Sequence, residues 1–519
     1  MMADQTPQDA PAAASWSIDL ADEQAMEAFA QELADLVHAD DIVTLSGDLG
    51  AGKTTFARAL IRKLVGDPTL EVPSPTFTLM QVYPAPAFQI VHADFYRIER
   101  PEELAELGWE EAAEGALVLV EWPDRAGGHL GSDRLDIAFH LDMQKDASYR
   151  RAVLTGYGRF AERLRLARAI HGLLQSSGWA GADRVFMQGD ASTRAYERLV
   201  KPGRPPAILM IAPPRPDGPP IRYGKSYSAI ARLAENITAF LAVDRGLRAQ
   251  GFSAPEIYSC DAEAGLAIIE DFGSEGVVDA QGPIAARYVE ATAVLARLHD
   301  LDLADEIPTG SGGAYRIPPY DLDALIIEVE LLLEWYAPLV AHVQLASGTR
   351  ASFASLWRDI LGETIAAEHT WTLRDYHSPN LLWLPDREGL ARIGIIDFQD
   401  CVLGHPAYDV VALLQDARVT VSDELELRLL SHYAHARRLA DLGFDMPAFA
   451  RAYAILGAQR ATKILGIFAR LDKRDGKPHY LAHLPRIEAY LRKDLSHPVL
   501  AGLKVWYEAN LPGIFSAIT

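Results

Sequence analysis

The sequence predicts a mixed α/β chain built in two parts. A small domain of alternating strands and helices spans residues 16–155, and a larger α+β domain with a strand-rich lobe and a helical lobe spans 156–519. Three observations carry this reading. At 519 residues the chain is longer than one hydrophobic core supports. Strand-like and helix-like stretches alternate up to Thr155, whereas beyond it a short cluster of strands gives way to a long helical remainder. Charge divides at the same place, with −16 of the net −22 carried by the first 155 residues.

Taken in order, residues 1–15, MMADQTPQDAPAAAS, have no basic segment and no apolar segment, and read as a disordered tail rather than a secretory signal. Met26, Phe29, Leu33 and Leu36 mark one face of an amphipathic helix. DIVTLSG reads as a buried strand and TTFARALIRKLV as the helix after it, and FQIVHADFY, ALVLVEW, RLDIAFHL and RRAVLTGYG read as further strands. The Arg-rich amphipathic stretch GRFAERLRLARAIHGLLQSSGW contrasts with the acidic chain before it and is expected to open the second domain. Strands near 184–187, 196–200 and 207–211 and a helix ending near Gly251 should form an N-lobe over about 180–275. The C-lobe, about 276–519, is helical except at NLLWL and IGIIDF.

Composition narrows the function. A chain this acidic repels phosphate backbones, so no direct nucleic-acid contact is expected. The two cysteines, Cys260 and Cys401, imply no disulfide framework, and no apolar run reaches eighteen residues, so a cytoplasmic protein without a membrane span is expected.

The first chemical motif is GDLGAGKT, Gly47 to Thr54, preceded by a strand and followed by a helix, as a P-loop requires. Gly47, Asp48, Leu49, Gly50, Ala51, Gly52, Lys53, Thr54 and Thr55 would wrap nucleotide phosphates with backbone N–H groups and a helix N-terminus. Lys53 should reach the β/γ-phosphates and the Thr54 hydroxyl should bind Mg²⁺. VPSPTFTL leads to Thr76, where a γ-phosphate sensor could sit; HADFYR sets Asp94 after a strand; LVLVEW ends a strand on Glu121. In this order GDLGAGKT, SPTFTL, HADFYR, PEEL and VEW resemble the TsaE family over about residues 16–155. The resemblance implies a small P-loop NTPase domain that hydrolyses ATP in tRNA threonylcarbamoyladenosine synthesis, with TsaD- and TsaB-type transfer proteins as partners. It implies Thr54 and Glu121 as Mg²⁺ ligands, Thr76 in a switch segment, Asp94 and Trp122 supporting turnover, Glu23 near the nucleotide and an Arg of the Arg150–Arg151 pair in a further position.

The second motif is LRDYHSPNLL. Phosphoryl transfer to a hydroxyl needs a base for the acceptor and oxygen ligands for Mg²⁺. Asp375 with Asn380 five residues on has that spacing, and the chain returns through IGIIDFQD to set Asp397 beside Asn380. MQGDASTRAYERLV offers Gly189, Ser192 and Thr193 to the phosphates; the third strand has Met210 where a lysine is usual, and Arg194 is the candidate replacement cation. AIIEDFG reads as the segment that binds adenine through its backbone. LARLHD, RDYHSPNLL and IDFQD resemble the aminoglycoside phosphotransferase superfamily, and GDASTRAY, LLLEWY and GHPAYDVVALLQDAR resemble its AmgK branch of anomeric sugar kinases. That resemblance implies a two-lobed, protein-kinase-like fold, ATP and Mg²⁺ as cofactors, Asp375 as catalytic base, and Asn380 with Asp397 as metal ligands. It implies N-acetylmuramate or N-acetylglucosamine as the amino-sugar acceptor in cell-wall recycling. Glu334, Trp335, Tyr336, Asp400 and Asp409 are candidates for a sugar pocket, although Trp335 and Tyr336 also fit a helical core and Asp409 a backbone-satisfied cap. Two alternatives remain open: the second half phosphorylates another small alcohol such as an aminoglycoside or choline, or one half is a binding module without turnover.

Overall fold

The computed structural model describes residues 13–142, 144–187, 194–214, 217–309 and 313–515. The chain forms two compact units, residues 1–180 and 181–519.

The first unit is built on a seven-stranded sheet. Its strands are β1 Ala13–Leu20, β2 Ile42–Ser46, β3 Met80–Pro84, β4 Gln89–Asp94, β5 Ala116–Glu121, β6 Leu135–Leu141 and β7 Arg150–Tyr157, in the spatial order β1-β7-β6-β2-β5-β4-β3. β6, β2, β5 and β4 run parallel, and β3, β7 and β1 close the edges antiparallel. The parallel strands are apolar along nearly their whole length because both faces are covered, as β5 shows with all six residues buried. Asp22 caps helix α1 (Glu23–Leu33) through a bond from the Ala25 N–H, and Met26, Phe29, Ala30 and Leu33 face the core. Helix α2 (Lys53–Val65) follows the β2 turn and ends at Gly66 in the left-handed conformation.

Two sequence expectations shift here. β1 begins at Ala13, so the expected tail of residues 1–15 overlaps a strand; residues 1–12 lie outside the described residues. The helix Arg159–Ser176, expected to open the second domain, packs on β1 and β7 of the first unit, which extends to Ala180. Arg163 binds the fully buried Asp41 at 2.6 Å, and His171 meets Glu32 at 3.0 Å.

The second unit begins with a five-stranded antiparallel sheet, β8 Asp183–Met187, β9 Ala195–Val200, β10 Ala207–Ile211, β11 Ile257–Asp261 and β12 Leu266–Glu270, in the order β11-β12-β10-β9-β8. The helix Ile237–Ala249 packs its apolar side into the shared core of this unit. The remainder is helical, centred on the thirty-residue helix Met446–Asp475, whose small residues permit close approach: a Cβ on Gly466 would meet Leu331 backbone at 2.4 Å. The expected hairpin is present, with Leu381–Trp383 paired antiparallel to Ile393–Ile395 and Leu381 opposite Ile395. Among the described residues no helix is long and apolar enough to cross a membrane.

Candidate active sites

In the first unit β2 delivers the chain into the phosphate-binding turn. Gly47 has φ +132° and a Cβ there would stand 2.5 Å from the Phe139 carbonyl oxygen; Gly52, at φ +103°, lies against Met26 of α1. These two positions admit only glycine, and they fix the turn before α2 begins at Lys53. The Lys53 ammonium is 5 % exposed, donates to the Gly47 and Asp48 carbonyls at 2.8 and 3.0 Å, and stands 4.1 Å from the centre of the Trp122 ring. Burial draws its pKa down, against the opposing pull of Glu121, Asp94 and Asp48.

The ends of β4 and β5 meet the same turn. Thr54 Oγ1 donates to Glu121 Oε1 at 2.9 Å, and the fully buried His92 places Nε2 3.0 Å from that oxygen. Asp94 accepts from Thr76 Oγ1 at 2.7 Å and from Ser74 Oγ at 3.1 Å, which ties the SPTF segment to the strand end. Lys53, Thr54, Thr76, Asp94 and Glu121 therefore gather at one end of the sheet. Glu23 stands exposed in the first turn of α1, one turn before the Met26 that packs under Gly52. The two arginines separate: Arg150 donates to the Ala51 and Gly50 carbonyls at 3.0 and 3.1 Å, whereas Arg151 pairs with Asp19 at 2.9 Å. Arg150 therefore braces the phosphate turn, and Arg150→Ala is expected to weaken ATP binding roughly tenfold in a nucleotide titration, the loss of about one charge-assisted hydrogen bond.

In the second unit a cavity of about 690 Å³ lies between the sheet and the helical lobe. Its sheet-side wall includes Met187, Arg194, Tyr196, Ile208 and the stretch Ile269–Gly273, so the expected adenine segment borders it. Asp375, Asn380, Asp397 and Asp400 line it from the catalytic loop and hairpin. Asn380 Nδ2 donates to the Asp375 carbonyl at 2.9 Å, and Ile396 N–H donates to the Asn380 carbonyl at 3.0 Å, so the hairpin holds Asp397 next to the loop. Asp397 sits at φ +59° and its Oδ1 accepts from Gln399 at 2.8 Å and faces Arg194 Nη1 at 3.4 Å. Arg194 thus reaches the Asp397 carboxylate. Enclosure in the cavity and the neighbouring Asp375 push Asp397 up to about 6. Burial acts to raise the Asp375 carboxyl too, but His377, Lys463, Arg374 and Arg460 outweigh it and hold it below its usual range. Gly189, Ser192 and Thr193 lie outside the described residues.

The sugar-pocket candidates divide. Asp400 borders the cavity and accepts from Ala234 N–H at 2.6 Å. Asp409 does not: fully buried, it accepts the Leu373 and Arg374 N–H groups at 2.6 and 2.9 Å and so anchors the start of the catalytic loop from below. Glu334, Trp335 and Tyr336 are absent from the cavity wall; Tyr336 is buried in the core and donates to Glu488 at 2.6 Å. Three supporting residues escaped sequence reasoning. Glu328, fully buried, binds Arg374 and takes Lys463 at 2.9 Å; His92 sits against Glu121; Arg460 lines the cavity. Nothing local marks Glu328, which lies in an ordinary apolar helix run.

A family model described as "Phosphotransferase enzyme family" matches residues 184–450, more than half of the chain. The chain belongs to the phosphotransferase enzyme family. The N-acetylmuramate/N-acetylglucosamine kinase of Caulobacter vibrioides is 38% identical to this phosphotransferase over 358 residues, covering 65% of this chain and 95% of that protein. The protein of the same name from Pseudomonas putida is 28% identical over 344 residues, with 65% and 92% covered. Ahead of the phosphotransferase region, the model for "Threonylcarbamoyl adenosine biosynthesis protein TsaE" matches residues 20–152. The tRNA threonylcarbamoyladenosine biosynthesis protein TsaE of Rickettsia prowazekii is 51% identical over 96 residues, 18% of this chain and 66% of that protein. The chain therefore joins a TsaE-like N-terminal unit to a phosphotransferase, as a fusion of two enzyme types.

Proposed function

We propose that the second unit is an ATP-dependent kinase that phosphorylates N-acetylmuramate and N-acetylglucosamine at the anomeric hydroxyl, and that the first is an ATPase serving threonylcarbamoyl modification of adenosine in tRNA. The carrying observation is the single cavity wall that presents Asp375, Asn380 and Asp397 together. Asp375 accepts the proton of the acceptor hydroxyl as it attacks; a carboxylate held below its usual range is ionised and ready for that role. Asn380 and Asp397 would hold Mg²⁺. The fit rests on donor chemistry: Asn380 Nδ2 is committed to the Asp375 carbonyl, which turns its amide oxygen to the remaining side, and both donors are the hard oxygens Mg²⁺ takes. When bound, it offsets charge on the transferring phosphoryl group. Arg194 supplies the cation absent at the buried Met210.

Arg418 and Arg460 line the helical-lobe side of the cavity, which favours a neutral or anionic sugar over a polycationic aminoglycoside or choline. Sugar-dependent ADP release by the full chain, compared across N-acetylmuramate, N-acetylglucosamine, kanamycin and choline, tests the reading. Turnover with kanamycin or choline and none with either sugar would replace it.

In the first unit, Thr54 and Glu121 offer adjacent oxygens that fit Mg²⁺, and Lys53 waits on its own loop carbonyls where phosphates would displace them. Asp94 restrains Thr76 in the switch segment. The partners would be TsaD- and TsaB-type proteins. Lys53→Ala should abolish support of tRNA threonylcarbamoylation in cells that depend on this chain, read by mass spectrometry of tRNA nucleosides, and leave sugar phosphorylation intact. Normal modification levels would remove the P-loop from that pathway.

A further inference from the structure

Four Lys or Arg side chains are more than nine-tenths buried among the described residues: Lys53, Arg374, Arg437 and Arg460. Three are satisfied, Lys53 by the Gly47 and Asp48 carbonyls, Arg374 by Glu328 and Arg437 by Glu368 at 2.6 Å. Arg460 is 5 % exposed and makes no hydrogen bond or ion pair with any described residue. Its charge acts on Asp375, whose carboxyl it helps hold below the usual range, but among the described residues no group meets the guanidinium in a direct hydrogen bond. It lies on the Met446–Asp475 helix, three residues before Lys463, and the two share the helix face that borders the cavity. Lys463 is committed to Glu328 at 2.9 Å, so it does not compete for a ligand's charge.

The position separates two anions that the cavity would receive. The nucleotide belongs to the sheet side, where Ile208, Ile269 and the 270–273 stretch meet Arg194, Asn380 and Asp397. Arg460 belongs to the helical lobe and borders the cavity with Tyr408, Ile464, Ile467 and Phe468, and its charge reaches Asp375. Arg418 brings a second guanidinium to the same wall. A planar, always-charged fork on the cavity wall matches a carboxylate in two parallel hydrogen bonds.

We propose that Arg460 is the specificity residue that binds the carboxylate of an acidic acceptor sugar, distinguishing N-acetylmuramate, which carries a carboxylate on its ether side chain, from N-acetylglucosamine, which carries none. This rests on the amino-sugar reading of the cavity. Without a direct hydrogen-bond partner among the described residues, the guanidinium can take the acid as one.

The test compares the full chain with Arg460→Met and Arg460→Lys, measuring kcat and KM for both sugars and for the methylamide of N-acetylmuramate, alongside the melting temperature of the ligand-free protein. The ratio of kcat/KM for N-acetylmuramate over N-acetylglucosamine should fall roughly ten- to hundredfold in Arg460→Met, mostly through KM, which is the range for losing hydrogen bonds to a charged group. Arg460→Lys, which keeps charge but not the fork, should fall between. The wild type should prefer the acid to its methylamide, and Arg460→Met should lose that preference. Removing a buried charge that has no direct hydrogen-bond partner among the described residues should leave the melting temperature unchanged or raise it, whereas a structural role would lower it. An equal fall with both sugars assigns Arg460 to the phosphoryl group common to both reactions and overturns the proposal. An unchanged ratio overturns it too. A wild type that phosphorylates neither sugar removes the amino-sugar reading itself, and the proposal with it.

Discussion

Asp375→Asn should lower sugar-dependent ADP release by roughly 10²- to 10⁴-fold, the usual worth of a positioned general base. The substitution is nearly isosteric and leaves the loop's scaffold in place, because the bond from Asn380 Nδ2 reaches the backbone carbonyl of residue 375 rather than its side chain. Asp409 still receives the two N–H groups at Leu373 and Arg374, so the loop enters the cavity as before. What is lost is the oxygen that accepts a proton, since an amide cannot. Nucleotide affinity should change little, and sugar-independent ATP turnover by the first unit should not change, because Lys53, Thr54 and Glu121 belong to a separate compact unit with its own core. Stopped-time ADP release with and without sugar measures both. If the variant also lost sugar-independent turnover, the two activities would share a site and the account of two catalysts would fail.

The parts of this chain that were legible in its sequence are those in which chemistry is written over a few consecutive residues. A phosphate turn needs glycine at Gly47, where a Cβ would stand 2.5 Å from the Phe139 carbonyl oxygen, and at Gly52, whose φ of +103° side chains rarely adopt, so the motif and the geometry are one constraint. The Asn380–Asp397 pair was equally readable, since a short hairpin is the only way a chain so apolar at NLLWL and IGIIDF returns in seventeen residues. The missed parts involve partners distant in sequence. The Arg159–Ser176 helix was expected to begin the second unit because its charge contrasts with the acidic chain before it; the contrast instead records attraction, with Arg163 seated on buried Asp41. An amphipathic pattern says that one face is buried but not against what. For Trp335 and Tyr336 the helical apolar pattern already pointed to core more strongly than to a sugar face, and Tyr336 is buried there. Glu328 gave no signal, because one carboxylate in the apolar run LDALIIEVEL becomes significant only when Arg374 and Lys463 arrive from 46 and 135 residues away.

That carboxylate carries the second large expected effect: Glu328→Ala should destabilise the second unit by roughly 3–5 kcal/mol, the cost of stranding buried charge. Glu328 is fully buried and has four partners: Arg374, Lys463 at 2.9 Å, the Tyr320 hydroxyl at 2.5 Å and Gln459 at 3.0 Å. Removing it leaves two cations in a wall with no replacement anion. Burial would raise its pKa, but Lys463 and Arg374 overcome that and hold it below the ordinary glutamate value. A depressed folded-state pKa contributes stability that is fully present above the unfolded-state value and fades as the pH falls through the folded one. Wild type and Glu328→Ala should therefore differ most at neutral pH, and their denaturation midpoints should converge in acid, below the ordinary glutamate range. Glu328→Gln keeps the volume and two of the four hydrogen bonds and should fall between them. Arg374 occupies a left-handed backbone position at φ +67° immediately before Asp375, so releasing its side chain frees the residue that aims the base. Glu328→Ala should thus lose sugar phosphorylation even at temperatures where it remains folded, although Glu328 is not on the cavity wall. A variant as stable as wild type across the pH range would mean that Arg374 and Lys463 find other partners, and that the bonds of the loop to Asp409 and Asp416 hold it without Glu328.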